Sequence, residues 1–273
     1  MKRPLVFLIT GCSSGIGRAI ASGAAAAGHR VFATARNRDS MAQLGGVETL
    51  VLDVTRPESI RAAVAEVLSG AGRIDVLVNN AGYAQMGTVE DLPISKWREE
   101  FDVNVFGTVE LTQAVLPAMR KQGGGTIVMI GSIGGRISYP FGGAYCASKF
   151  ALEAISDALR LEVSPFGIRV VLMEPGPINT RFAETAESGA QPFASDARSP
   201  YHAAYTNAFA LFRKETTAGA LPPEAVSRAV LRAVERKHPP ARVLVTLPAK
   251  VGSLAKRLLP DRWIDFGMRQ KFR

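Results

Sequence analysis

Apolar and polar residues recur along this chain on two periods. Residues 5–9 form an unbroken apolar run, as expected of a strand buried on both faces of a sheet. Residues 15–27 follow with helical spacing, and the pattern then repeats. Strands are predicted at 30–35, 47–52, 74–78, 125–130, 168–173 and 242–246. Helices are predicted at 56–68, with Pro57 in the first turn, and at 144–163 and 224–236. One long helix or two fill 94–121, with Ser95 as an N-cap. Regular strand–helix alternation requires parallel pairing through right-handed crossovers. The expected fold is therefore α/β: a single-domain Rossmann fold, doubly wound, with a seven-stranded parallel sheet and helices on both faces. Ligands of such a sheet sit beyond the carboxyl ends of its strands. The one long irregular stretch, 175–221, reads as a lid over that edge, and residues from about 248 onward as a separate tail.

Composition narrows the class. With 273 residues, 47% hydrophobic and 21% charged, one large domain fits, and 1–273 reads as one unit. Cys12 and Cys146 do not make a disulfide framework, and His29, His202 and His238 are too scattered to complete a zinc site, so no metal is expected. No apolar run is long enough for a transmembrane helix, and the first ten residues lack the length and cleavage site of a signal peptide, so a cytoplasmic location is expected. The net charge of +9 lies entirely in residues 213–273, while the body is neutral. That distribution argues against a nucleic-acid binder. It fits a solvated tail or a weak contact with an acidic membrane or partner.

Between strand one and the first helix runs Thr10-Gly11-Cys12-Ser13-Ser14-Gly15-Ile16-Gly17. Gly11 permits a tight turn, Gly15 lets backbone approach a pyrophosphate, and Gly17 lets the helix pack close to the sheet. The helix start offers free N–H groups to phosphate. An NAD site places an acid at the end of strand two, to bond the ribose hydroxyls. Here the chain reads Thr34-Ala35-Arg36-Asn37-Arg38, with no acid before Asp39. Arg36 suits a 2′-phosphate, so NADP is the expected cofactor; the alternative is a solvated loop charge.

Tyr145 and Lys149 are four apart and share a helix face, and Ser132 lies just past strand five. A free tyrosine, with a pKa of about 10, is poorly ionised at neutral pH. A cation at ~5 Å contributes about 3 kcal/mol toward ionising it at an effective dielectric of about 20. Lys149 and an oxidised nicotinamide together supply the shift, making Tyr145 a general base toward an alcohol or a general acid toward a ketone. Ser132 would then hydrogen-bond the substrate oxygen. Cys12 and Cys146, although close to both motifs, read as small packing residues.

With these motifs in order, the chain strongly resembles the short-chain dehydrogenase/reductase family over residues 4–247. The carriers are Thr10-Gly11-x-x-x-Gly15-Ile16-Gly17, Asp53-Val54, Asn79-Asn80-Ala81-Gly82, Asn104, Ser132, Tyr145-x-x-x-Lys149 and Pro175-Gly176. Residues 145–153 look most similar to members acting on steroids and other lipophilic alcohols. The resemblance implies that Asn104, Ser132, Tyr145 and Lys149 are catalytic, with Asn104 linking Lys149 to solvent as a proton relay and Lys149 also binding the nicotinamide ribose. It implies cofactor contacts from Gly11, Ser13, Ser14, Gly15, Ile16, Gly17 and Arg36, and from Asp53 and Val54 at the adenine. Asn80, Ala81 and Gly82 would run behind the ribose, Pro175, Gly176 and Tyr145 would also contact the cofactor, and Ile178 and Thr180 would approach the carboxamide or phosphates. Arg18 would add to the 2′-phosphate site. A homodimer or homotetramer through the helices at 94–121 and 144–163 is implied as well.

The expected activity is hydride transfer between NADP(H) and a lipophilic alcohol or ketone. The alternative is an NADP(H)-binding redox sensor with little turnover. Phe182, Phe193, Tyr201, Tyr205, Phe209 and Phe212 concentrate in the lid, which favours an apolar substrate unless the rings only pack the lid down. In the tail, Leu254 and Leu258 suit a short amphipathic helix that Pro260 interrupts. Trp263 and Phe266 would be costly to leave in water, so docking on the body or a partner subunit is favoured over a membrane contact.

Overall fold

A computed structural model describes residues 3–217 and 219–271; Met1, Lys2, Ala218, Phe272 and Arg273, which the expected domain, lid and tail include, lie outside the described residues, as do the side chains of Glu215, Thr216, Thr217, Gln270 and Lys271. Seven strands, β1 (Val6–Ile9), β2 (Arg30–Ala35), β3 (Glu48–Val51), β4 (Val76–Asn79), β5 (Gly125–Ile130), β6 (Ile168–Glu174) and β7 (Arg242–Leu244), form one sheet in the order β3-β2-β1-β4-β5-β6-β7. Every pairing is parallel. The doubly wound single domain read from the strand–helix alternation is the fold observed.

Period-two alternation explains why β1 reads as continuously apolar. Val6 and Leu8 enter one apolar layer and Phe7 and Ile9 the other. Helices α1 (Gly15–Ala26), α2 (Pro57–Ala71), α3 (Ile94–Phe101), α4 (Gly107–Lys121) and α5 (Gly143–Val163) cross between strands. Ile60 and Val67 of α2, with Leu111 and Val115 of α4, cover the first layer. Ile20 and Ala24 of α1 cover the second, together with Val226 and Val230 further along the chain. The winding reverses between β1 and β4, which opens a crevice at their carboxyl ends.

Several boundaries differ from the sequence reading. The stretch 94–121 is two helices joined through a π-helical turn, Asp102–Phe106, centred on Asn104. Pro93 rather than Ser95 occupies the N-cap, and Lys96 N–H bonds the Pro93 carbonyl at 2.9 Å. The stretch 175–221, expected to be irregular, is mostly helix: α6 (Phe182–Ala194) and α7 (His202–Thr217). Phe182, Ala186, Ala190 and Phe193 recur at helical spacing, and so do Tyr201, Tyr205, Phe209 and Phe212. Gly189, Pro192 and Pro200 punctuate the stretch and mask that period.

Helix α8 (Pro223–Glu235) leads into β7, which ends two residues earlier than expected because Thr246 caps the next helix, accepting the Ala249 N–H at 3.2 Å. The tail folds as α9 (Leu247–Leu258) and α10 (Asp261–Lys271), divided at Pro260. Its inward contacts come from small residues. Ala249 is fully buried, and a Cβ on Gly252 would lie 3.1 Å from Ile137 Cδ1. Leu254, Leu258, Trp263 and Phe266 are all more than half exposed. The expected docking of these large side chains on the body is therefore not what the structure shows: the seat beside Ile133 and Ile137 admits only a small-residue face.

Candidate active site

The loop between β1 and α1 is shaped by contacts that side chains would obstruct. Gly11 has φ +70°, and a Cβ there would lie 2.9 Å from the Ala81 Cα. A Cβ on Gly17 would meet the Gly11 carbonyl oxygen at 2.4 Å. Asn80 fixes the loop from β4: its Nδ2 donates to the carbonyls of Thr10 at 2.8 Å and Gly11 at 3.1 Å. The N–H groups of Asn80 and Ala81 both bond Thr10 Oγ1 at 2.9 Å. Ser14, at the α1 N-cap, is extended and makes no side-chain cap bond, so the side chain leaves the first-turn N–H groups to other partners. An open cleft of about 880 Å³ lies beside it, lined by Ser13, Ser14, Gly15, Arg18, Thr180 and Arg181. These residues fit a pyrophosphate: hydrogen-bond donors, the positive end of a helix and a glycine approach meet there.

Arg36 is exposed at the end of β2 and faces Asp53 and Tyr83. Arg38, its neighbour in sequence, instead donates to Thr49 Oγ1 at 3.0 Å. Arg18 reaches the Ser40 carbonyl at 3.4 Å, and so lies beside the same loop. Asp53 Oδ1 accepts from Thr55 Oγ1 at 2.7 Å and Thr55 N–H at 3.0 Å. Val54 is buried beside Gly107 of α4, so its side chain belongs to the core. Pro175 accepts the Ile133 N–H at 2.9 Å, which ties the end of β6 to the turn after β5. Gly176 packs on Thr246, where a Cβ would lie 2.2 Å from Oγ1. Ile178 pairs with Leu221 in an isolated bridge, and Thr180 faces Gly15 across the cleft. Ile16 packs against the core layer under α1.

Ser132, Tyr145 and Lys149 converge past β5. Ser132 Oγ accepts the Gly134 N–H at 3.0 Å and is hydrogen-bonded to the Tyr145 hydroxyl, an interaction that favours the phenolate. Burial outweighs it and holds the Tyr145 pKa well above its ordinary value. Lys149 Nζ donates to the Ile130 carbonyl at 2.9 Å and lies 5.8 Å from the Tyr145 ring centroid. Burial lowers the Lys149 pKa to about 8, against the field of Glu100.

Asn104 is buried below them. Its Nδ2 lies at hydrogen-bonding distance from Tyr83 O at 2.9 Å, Ser148 Oγ at 3.0 Å and Glu100 Oε1 at 3.2 Å. Asn104 and Lys149 both border Gly82, where a Cβ would lie 2.9 Å from Asn104 Oδ1 and 3.7 Å from Lys149 Nζ. Glu100, absent from the sequence-derived site, is fully buried here, and its pKa is pushed up to about 8 by burial. Its Oε2 has no hydrogen-bond partner. The available signal was periodicity: Glu100 stands four before Asn104, on the same helical face.

Helices α6 and α7 roof this site. Phe182 meets Tyr145 edge-on with ring centroids 5.4 Å apart. Met86, Phe141, Ala186, Ala190, Tyr205 and Phe209 share one apolar cluster with Tyr145. Polar ties hold the roof, among them Gln85 Nε2 donating to Gly189 O at 2.9 Å, Tyr205 OH accepting from Thr88 N–H at 3.0 Å and donating to Asp91 at 3.1 Å, and Tyr201 OH donating to Glu90 at 2.9 Å. His202 bonds Ala194 O at 2.9 Å and so joins α6 to α7. Burial pushes the thiols of Cys12 and Cys146 up to about 12 and about 11, in keeping with packing roles. Among the described residues no metal-ligating cluster occurs.

Comparison with known proteins agrees with this geometry. Residues 5–191 match the short chain dehydrogenase family. A 3-ketodihydrosphingosine reductase of Bacteroides thetaiotaomicron is 37% identical over 268 residues, covering 98% of this chain and 97% of that protein. An NADPH-dependent 3-dehydrocapnine reductase of Ornithobacterium rhinotracheale is 36% identical over 272 residues, covering 94% of each. A short-chain dehydrogenase structure from Streptomyces avermitilis superposes with a TM-score of 0.81 at 35% identity, over 99% of this chain and 96% of that one. The chain belongs to the short-chain dehydrogenase/reductase family. It is an enzyme, an oxidoreductase of the NAD(P)-dependent kind; further structures of this fold are complexed with NADP, 5-hydroxy-NADP or NAD.

Proposed function

We propose that this enzyme transfers a hydride between NADP(H) and a lipophilic ketone or alcohol, with Tyr145 moving the proton. The observation that carries the reading is the buried Tyr145 hydroxyl, bonded to Ser132, four residues from Lys149 and roofed by Phe182. When bound, the nicotinamide supplies or accepts the hydride. Because burial holds the Tyr145 pKa up, the phenol is protonated at neutral pH and ready to donate to the oxygen of a carbonyl being reduced. The Lys149 ammonium, at this range, offsets about 3 kcal/mol of the resulting phenolate charge at an effective dielectric of about 20. Ser132 orients the substrate oxygen. Asn104 holds the floor under Lys149 and forms the inner end of its proton path.

Arg36, with Arg18 reaching the loop that follows it, supports NADP over NAD: the end of β2 presents a guanidinium where an acid would hold a free ribose hydroxyl. Ser13, Ser14, Gly15, Ile16 and Thr180 would hold the pyrophosphate, Asp53 the adenine side, and Ile178 the carboxamide side. Gly11, Gly17, Asn80, Ala81, Gly82, Pro175 and Gly176 shape the edge that carries them. The residues from 177 to 221 act as the lid. Its aromatic underside supports an apolar substrate, and the names of the two relatives specify 3-keto and 3-dehydro compounds. Phe106, exposed in the turn before α4, and Phe150 and Leu161, exposed on α5, support a second copy as the partner of that face.

The test is NADPH oxidation across 3-ketones of increasing chain length. Expected is a kcat/KM that climbs with chain length and falls when NADH replaces NADPH. Turnover confined to small polar ketones, or no turnover with either cofactor, would overturn the reading.

A further inference from the structure

Seven large apolar side chains stand exposed on the last two helices and the junction between them. On α9 these are Leu247, Val251, Leu254 and Leu258, spaced four, three and four residues apart, so they form a single row. Leu259 stands at the junction, and Trp263 with Phe266 continues the surface on α10. The opposite side of α9 is already used: Ala249 is buried, Gly252 packs on Ile137, and Ser253 Oγ accepts from Arg136 at 3.1 Å. The exposed row is thus no incompletely buried core face. It points away from the body.

Charge lies along one flank of that row. Lys250 and Arg257 are seven apart, on the helical rank beside Val251, Leu254 and Leu258, and both are exposed. On α10, Arg262 and Arg269 bracket Phe266 at four and three residues, and both are exposed. Lys256 ion-pairs with Asp261 and joins the two helices. The protein's entire net charge falls within the region that ends in these helices.

We propose that α9 and α10 together dock this enzyme on the surface of an anionic lipid bilayer. Leucines, tryptophan and phenylalanine would enter the headgroup–acyl boundary, and the flanking lysine and arginines would reach the lipid phosphates, with their alkyl stems along the apolar row. A second copy fits less well, because a two-fold contact on this face brings each cationic flank toward another of the same sign. Neither helix is long and apolar enough to cross a membrane, so the contact is one of surface. The inference goes beyond the proposed activity, and its readout needs no turnover.

The test uses the full chain sedimented with phosphatidylcholine vesicles, with and without phosphatidylglycerol. Expected is partitioning at least tenfold stronger onto the anionic vesicles, and weakening as salt is raised. With Trp97→Phe as background, the Trp263 emission should shift to the blue on binding. Leu254→Ser with Leu258→Ser, and separately Lys250→Glu with Arg257→Glu, should each weaken partitioning at least tenfold. Melting temperature and NADP(H) affinity should hold, because these side chains are exposed. Equal partitioning onto both vesicles, or unchanged partitioning of both double variants, would overturn the proposal. So would a dimer that dissociates in the leucine variant while vesicles bind neither protein.

Discussion

The sheet and the C-terminal helices use leucine in opposite ways. Leu8 of β1 is fully buried, whereas Leu254 of α9 is 56% exposed. In β1, β2, β4 and β5 successive residues enter two apolar layers in turn, so nearly every side chain contributes to holding the edge that carries Gly11, Ser132 and Tyr145. In α9 only the small residues touch the body, and the large ones face out. The matched family region, 5–191, takes in the sheet through β6 but ends within α6, before α7, α9 and α10. The geometry proposed for hydride and proton transfer therefore sits in one part, and the proposed substrate lid and lipid-facing surface lie mainly in the other.

That contrast is sharpest in stability. Leu8→Ala should cost about 2–5 kcal/mol, the range for emptying a packed core site, whereas Leu254→Ala should fall within about 0.5 kcal/mol of wild type. Urea unfolding of both variants measures this; similar midpoints would mean that α9 is part of the cooperative core.

Activity should separate along the same line. Tyr145→Phe keeps the ring against Phe182 but removes the proton donor, so turnover should fall at least ~100-fold with NADP(H) affinity nearly unchanged. Near-wild-type turnover would remove Tyr145 from the chemistry. Arg36→Ala should weaken NADP(H) by about 1.5–3 kcal/mol in titrations and leave NAD(H) almost unaffected. Equal losses for both cofactors would make Arg36 structural.

At the roof, Tyr205→Phe leaves the Thr88 N–H without its acceptor and removes a bond to Asp91, at a cost of about 1–3 kcal/mol. If the roof forms the substrate wall, KM for a long-chain ketone should rise several-fold, with little change for a short one.

The remaining expected effect, read as a pH dependence, concerns Glu100. Burial raises its pKa to about 8 from the ordinary 4.5, so the folded protein keeps a proton that the unfolded chain releases. Its contribution to stability is complete below pH 4.5 and is lost as pH rises through about 8. The melting temperature of wild type should therefore fall relative to Glu100→Gln between about pH 5 and 8. The Glu100 charge also raises the Tyr145 and Lys149 pKa values, so the variant's pH–rate profile should move to lower pH. Parallel melting curves and an unmoved profile would show that Glu100 acts only as packing.

Local order made most of the framework readable. A strand buried on both faces must be apolar throughout, a phosphate loop must carry glycine where side chains would collide, and two groups four apart on a helix must share a face. Glu100 had only its spacing of four from Asn104, which does not say whether that face is covered. It follows Glu99, which is exposed and ion-paired with Lys96, and only the packing of α3 beneath Lys149 distinguishes the two. The helices of the roof were readable from aromatic spacing, but glycine and proline within them obscured it.

The sequence by itself therefore determined the order of strands and helices, the glycine turn and the Tyr145–Lys149 spacing, because each follows from contacts within a few residues. Tertiary structure alone decided which side of α9 meets the body, that Glu100 is buried near Lys149, and that Phe182 stands over Tyr145. Those outcomes depend on what a side chain meets across the molecule. Helical periodicity places residues on a common face, but only packing decides whether that face is covered.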